Sequence, residues 1–321
     1  MRWEDLEQSS NVEDRRGEDG YVAGGGGGGG GGFGGLPIGG GGLGLGTIAV
    51  LVLVGWGVFG INPIQMISML SGGGGYQQPY QQRPANLPAR HTGTPTDGQF
   101  GNFVSRVLGS TEVQWKDIFT KNGQTYRPPI LVIYTRQTDA QCGGGARSAM
   151  GPFYCPTDHK VYLDTSFFRE IETRFHGCSG KACEFSQAYV IAHEVGHHVQ
   201  NLLGILPQVT ARQRTASKAD ANKLQVRVEL QADCLAGVWA NHENARQQRQ
   251  GKQPFIDQGD IAAALQTASA IGDDTLQRNA TGRVMPDSFT HGTSAQRQRW
   301  FTNGLQQGTF QACDTFSAAT L

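Results

Sequence analysis

What this chain lacks narrows it first. No charged residue occurs between Asp19 and Arg83, and no cysteine precedes Cys142. Neither sign of charge dominates. Residues 1–19 hold seven acids and three arginines, net −4, which leaves +4 for the rest of a chain whose formal net charge is zero. Balances that small give no basis for electrostatic capture of nucleic acid or of an anionic membrane surface, and no nucleic-acid partner is expected. The glycine runs carry no lysine and no following helix signal, so they do not make a phosphate-binding loop. There is no internal repeat and no β-α-β alternation.

The residues that are present divide the chain by composition. Of the 47 glycines, 17 fall in the 23 residues from Gly24 to Gly46. Polyglycine buries almost no apolar surface to offset its ordering entropy, so residues 1–42 read as a disordered acidic, then glycine-rich, N-terminal segment. Residues 43–61 (LGLGTIAVLVLVGWGVFGI) are uncharged and apolar. About 20 such residues span a bilayer core, which predicts one transmembrane helix, with apolar residues through Leu70 able to extend it. Residues 71–96 are a Gly/Pro/Gln-rich linker, and residues 97–321 form a block large enough for a core of its own.

All six cysteines follow the apolar run. An even number on one side suits disulfides in an oxidising compartment, with Cys178–Cys183 and Cys142–Cys155 as the local pairings; the alternative is free, buried cysteines in a reducing one. No Lys or Arg lies within 15 residues of either end of the span, so charge does not orient it. The cysteines do, with the N-terminus inside and the large domain outside.

Within 97–321 the pattern predicts a helix near 100–118, a strand at 129–135 and a hairpin over 148–164. Helices follow near 165–175, 186–203, 219–249, 257–271 and 294–305. Strands come early and helices late, which predicts an α+β fold: a small antiparallel sheet followed by a helical bundle.

The chemistry concentrates on two of those helices. His193 and His197 stand four apart, hence on one helical face. Two imidazoles so placed can hold one zinc ion while Glu194 leans toward a metal-bound water, the H-E-x-x-H arrangement. His198, one residue on, points about 100° away and is expected at the surface or behind the site. Zinc needs a third protein ligand. A histidine six residues after His197 would supply it, but Leu203 stands there, and Gln200 replaces the glycine that goes with it. Glu229, 32 residues after His197 on a later helix, is the alternative. Asp233 shares its flank and is placed to accept the second N–H of His193. The competing reading of Glu229 and Asp233 is a solvated acidic pair.

His193-Glu-x-x-His197 followed by Glu229-x-x-Ala232-Asp233 resembles the double motif of the Glu-ligand zinc peptidases, the gluzincins. Arg2-Trp3 with Asn11-Val-Glu-Asp-Arg-Arg-Gly17, then a glycine-rich segment and one apolar run, resembles the bacterial family of "putative neutral zinc metallopeptidases" (YpfJ-like) over essentially the whole chain. The resemblance implies a zincin-like domain with one zinc per chain, a peptide or protein substrate, and a single-pass anchor in the bacterial inner membrane with the catalytic domain outside the cytoplasm. It carries over no particular substrate and no oligomeric state.

The segment Phe289-Thr-His291-Gly-Thr-Ser-Ala-Gln-Arg297 is similar to the Thr-His-Pro…Arg stretch of the membrane peptidases that process prenylated proteins, with Gly292 in place of the proline. That similarity implies His291 as a donor to the oxyanion and Arg297 as its support. A peptide could add as a strand along 149–154; Tyr154 or Tyr162 could assist the oxyanion, although each reads more readily as a plain strand aromatic. The rival from another class is a non-catalytic envelope protein that keeps zinc for folding and would tolerate loss of Glu194.

Overall fold

The computed structural model describes residues 1–16, 98–142, 146–147, 151–173, 176–257 and 259–321. Its strands are β1 (Val12–Asp14), β2 (Ile130–Tyr134), β3 (Gln137–Thr138), β4 (Ala146–Arg147), β5 (Phe153–Cys155) and β6 (Lys160–Asp164). The helices are α1 (Gln99–Lys121), α2 (Thr165–Thr173), α3 (Cys183–Leu202), α4 (Ile205–Gln213), α5 (Lys218–Arg249), α6 (Asp260–Ala270), α7 (Asp273–Thr281) and α8 (Ser294–Gln307). The hairpin and the long helices fall where the periodicity puts them. α4, α7 and β1 were not expected.

The antiparallel sheet is a correction. The main sheet runs β1-β2-β6-β5, with β1–β2 and β2–β6 parallel and only β5–β6 antiparallel. Residues 135–159 are long enough to carry the chain back to start β6 alongside β2 in the same direction. β2 reads Ile-Leu-Val-Ile-Tyr without a polar residue because it is covered on both faces. Leu131 and Ile133 join the main core, while Val132 and Tyr134 pack with Cys155 and Tyr162 on the other side.

The N-terminal segment is a second correction, for residues 1–16. Met1, Trp3, Leu6 and Val12 are all buried in the main core, and Trp3 meets Phe103 of α1 edge to face. The backbone of Ser9 pairs with Ser105, whose hydroxyl also donates to the Ser9 carbonyl at 3.0 Å. Asn11 donates to Glu112 at 2.9 Å. Residues 11–15 then lie beside β2 in register Val12↔Leu131 to Asp14↔Ile133. Buried Glu13 bridges Arg15 and Lys160. A run this short has no periodicity of its own, and its partners begin about 90 residues later.

The transmembrane helix is the third correction. Among the described residues no helix is long and apolar enough to cross a membrane, and the expected span at 43–61 lies outside them, as does the linker at 71–96. A single crossing between 17 and 97 would also put β1 and β2 on opposite sides of a bilayer, yet they are hydrogen-bonded neighbours. The fold of the described residues is therefore α+β with a mixed sheet, and none of its helices is a membrane span.

The Glu13 cluster gives a pH-dependent expectation. Burial by itself raises the Glu13 pKa, but the hydrogen bonds and charges of Lys160 and Arg15 outweigh it and hold it below the ordinary 4.5. A depressed carboxyl contributes stability above its unfolded pKa and loses it as the pH falls through the folded value. Glu13→Gln is expected to melt below the wild type at pH 7, the gap closing as the pH falls below 4.5. Parallel melting curves across that range would contradict this role.

Three disulfides staple the fold: Cys142–Cys155, Cys178–Cys183 and Cys234–Cys313. The last ties α5 to the C-terminal turn across 79 residues. No described cysteine is free. α3, α5 and α8 pack together around Phe185, Trp239, Phe255 and Phe301, and this bundle carries the site.

Candidate metal centre

α3 runs from Cys183, ahead of the start expected near 186, and Ser186 lies buried inside it. His193 and His197 face α5 because the helices approach closely between them. At Gly196 a Cβ would sit 3.1 Å from the Ala232 carbonyl oxygen, so a side chain there would have to push the helices a few tenths of an ångström apart. The approach brings Glu229 to both rings, its Oε2 lying 3.3 Å from His193 Nε2 and 3.5 Å from His197 Nε2. The two imidazoles stand edge to face with centroids 4.8 Å apart. One ligand atom from each of His193, His197 and Glu229 falls within 4.8 Å of the others.

This donor set fits zinc, which takes imidazole and carboxylate ligands and in hydrolytic sites keeps one position open. Its electrostatics say the same. Burial raises the Glu229 pKa, yet His197 and His193 outweigh it and hold the carboxyl well below its usual range. Burial lowers that of His193, but Asp233 and Glu229 push it up to about 10. Two nitrogens and a carboxylate are thus kept as a buried ion cluster in which a divalent cation can replace protons. Glu194 lies buried beside them, its pKa raised chiefly by burial, with the two histidines pulling against it.

Asp233 is fully buried and accepts His193 Nδ1–H at 2.8 Å. It also accepts the Tyr189 hydroxyl at 2.6 Å and two Arg297 nitrogens at 2.9 Å each. Arg297 and His193 outweigh its burial and hold its carboxyl far below the ordinary value. The Arg297 guanidinium donates to Asp233 and Tyr189, and through them it bears on His193.

The orienting partner of His291 is Asp273, at the first turn of α7. Its Oδ1 lies 3.2 Å from His291 Nδ1, and its Oδ2 accepts the backbone N–H groups of Thr290, His291 and Gly292 at 2.7, 2.6 and 3.1 Å. Burial lowers the His291 pKa, but Asp273 and then Glu229 raise it above the usual value. Gly292 has φ of 90°, which proline, locked near about −65°, cannot adopt. The backbone here thus departs from the Thr-His-Pro pattern.

His198 lies behind the site, one of the two places expected for it, and the two strand tyrosines bond within the scaffold. His198 is 1% exposed, its Nε2–H donating to the Arg127 carbonyl at 2.6 Å while Nδ1 faces the Tyr154 hydroxyl at 3.1 Å. Burial keeps it neutral, its pKa down at about 4. Tyr154 also receives Asn201, and Tyr162 donates to Asp158 at 2.7 Å. Both hydroxyls are bonded within the scaffold, as strand aromatics would be. Tyr189, Gln200 and Asp273 were missed. The first two carried a signal, since Tyr189 lies four residues before His193 and Gln200 three after His197 on the same helix.

Comparison with known proteins points to the same metal. A family model described as "Putative neutral zinc metallopeptidase" matches residues 1–316. The chain is 44% identical over 316 residues to "Uncharacterized protein YpfJ" of Escherichia coli K12, covering 98% of this chain and 99% of that one. It is 42% identical over 253 residues to "Uncharacterized protein Mb2605" of Mycobacterium bovis, covering 76% of this chain and 82% of that one. "Uncharacterized protein Rv2575" of Mycobacterium tuberculosis H37Rv matches to the same extent. No solved structure matches.

Proposed function

The chain belongs to the family described as "Putative neutral zinc metallopeptidase", and from that premise we propose that it is a zinc-dependent endopeptidase acting on peptide or protein substrates. The observation that carries the reading is the convergence of His193, His197 and Glu229 with a buried carboxyl, Glu194, beside them and outside the ligand set.

His193, His197 and Glu229 would hold a zinc ion, whose Lewis acidity would acidify a water and polarise a scissile carbonyl. Glu194 takes the water's proton and passes it to the departing amine; its raised pKa suits a group that must both accept and return a proton. His291, oriented by Asp273 through Nδ1, donates to the oxyanion. β5 is the outer strand beyond β6, and a peptide adding to it would lie along a strand tied to α3 through Tyr154, His198 and Asn201; residues 149 and 150 of the expected docking stretch lie outside the described residues. The three disulfides favour an oxidising compartment as the place of work.

Metal analysis tests the ligand set. Wild-type protein equilibrated with zinc and gel-filtered is expected to hold one zinc per chain, and Glu229→Gln clearly less under the same conditions. Equal zinc in both would remove Glu229 from the site.

A further inference from the structure

The two ligand histidines are held by different chemistry. His193 leans on an ionised carboxylate that is itself paired with Arg297. His197 has no such carboxylate at Nδ1; that nitrogen faces the side-chain oxygen of Gln200 at 2.9 Å. Gln200 is fully buried, and its Nε2 donates to the Val228 carbonyl at 2.8 Å and to Gln231 Oε1 at 3.0 Å. Gln231, also buried, donates from Nε2 to the Cys313 carbonyl at 2.9 Å. The relay therefore starts on a backbone pinned to α5 by the Cys234–Cys313 disulfide and ends on His197.

Its direction is fixed by what each group can do. Backbone carbonyls only accept. Cys313 forces the amide nitrogen of Gln231 toward itself, which turns the Gln231 oxygen toward Gln200. Val228 and that oxygen both demand the amide nitrogen of Gln200, so its oxygen must face His197. A carbonyl oxygen there leaves one role for His197 Nδ1, that of N–H donor. In the neutral ring the lone pair then sits on Nε2, the atom nearest Glu229.

We propose that Gln200, backed by Gln231, is a positioning residue that sets the tautomer and ring orientation of His197 for metal binding. It also fixes the spacing between the helices, because the amide grips α5 at Val228, one residue before the ligand Glu229. A carboxylate at this position could not replace it. It would accept from His197 but would turn acceptors toward Val228 and Gln231, each of which needs a donor. The inference rests on reading the cluster as a zinc centre.

The test uses full-length protein, with zinc affinity from chelator competition and the visible spectrum of the cobalt-substituted form. Gln200→Leu keeps the buried volume but removes the acceptor, and zinc binding is expected to weaken by about 10–100-fold, with an altered cobalt spectrum. Gln231→Leu, one hydrogen bond further from the ring, is expected to give a smaller loss in the same direction and keeps the question open to test if Gln200→Leu fails to fold. Melting of the zinc-free proteins separates this role from a purely structural one. Wild-type zinc affinity and cobalt spectrum in the leucine variants would overturn the proposal, whatever their apo stability. A wild-type protein that binds no zinc would overturn the zinc-centre reading and this inference with it.

Discussion

Glu194→Gln is expected to lower kcat for peptide hydrolysis by about 10²–10⁴-fold, the usual contribution of a positioned general base, while zinc content stays at the wild-type level. The amide matches the carboxylate in shape, so the core that holds Glu194 at 7% exposure should accept it. What it loses is the ability to take a proton. The ligand set of His193, His197 and Glu229 is untouched, which is why the metal should remain. Substrate affinity should change little, since the lost interaction belongs to the transition state. Single-turnover cleavage rates read beside metal analysis check both halves. A variant that still cleaves at the wild-type rate would place the base elsewhere.

The second large effect is on stability. Arg297→Met is expected to cost roughly 3–5 kcal/mol, the range for leaving a buried charge without its partner. Asp233 is 0% exposed, and Arg297 covers both of its oxygens. Without the guanidinium, its charge would rest on the Tyr189 hydroxyl and His193 alone. Because the Asp233 pKa is depressed in the fold, its contribution is present above the ordinary 3.8 and drains away as the pH falls. The gap between variant and wild type should therefore narrow in acid. Denaturant unfolding at pH 7 gives the magnitude. Replacing both partners, as Asp233→Leu with Arg297→Met, should recover part of the loss while disturbing His193. An Arg297→Met protein as stable as the wild type would show that the pair is not what holds this end of the bundle.

How much of this was legible in the sequence follows from how local each feature is. H-E-x-x-H is visible because one helix fixes the spacing of its own residues. Glu229 and Asp233 are nearly as visible, since they too sit four apart on one helix and only one helix pairing is needed to join them to the histidines. The hairpin β5–β6 and the long helices carry their own periodicity. Arg297 lies 64 residues from Asp233, and nothing on its own helix marks it as the partner of that carboxylate rather than of His291. Asp273 is 18 residues before His291 and looks like any acid in a first helical turn. Gln200 was read for what it excluded, because its value depends on which carbonyls the neighbouring helix presents. β1 is three residues long and exists only because β2 offers an edge. The parallel pairing of β2 left a trace in its unbroken apolar run, a pattern that an early strand followed by a hairpin obscured.

The central claim is metal-dependent peptide hydrolysis at the His193–His197–Glu229 cluster, and reversible chelation tests it most directly. Full-length protein loaded with zinc is incubated with a peptide library, stripped with a chelator, then restored with zinc, with products read by mass spectrometry at each stage. The account predicts cleavage at defined bonds that stops on stripping and returns with the metal. Absence of cleavage in protein shown to carry one zinc per chain would contradict it, and would leave a zinc-stabilised binding protein in its place.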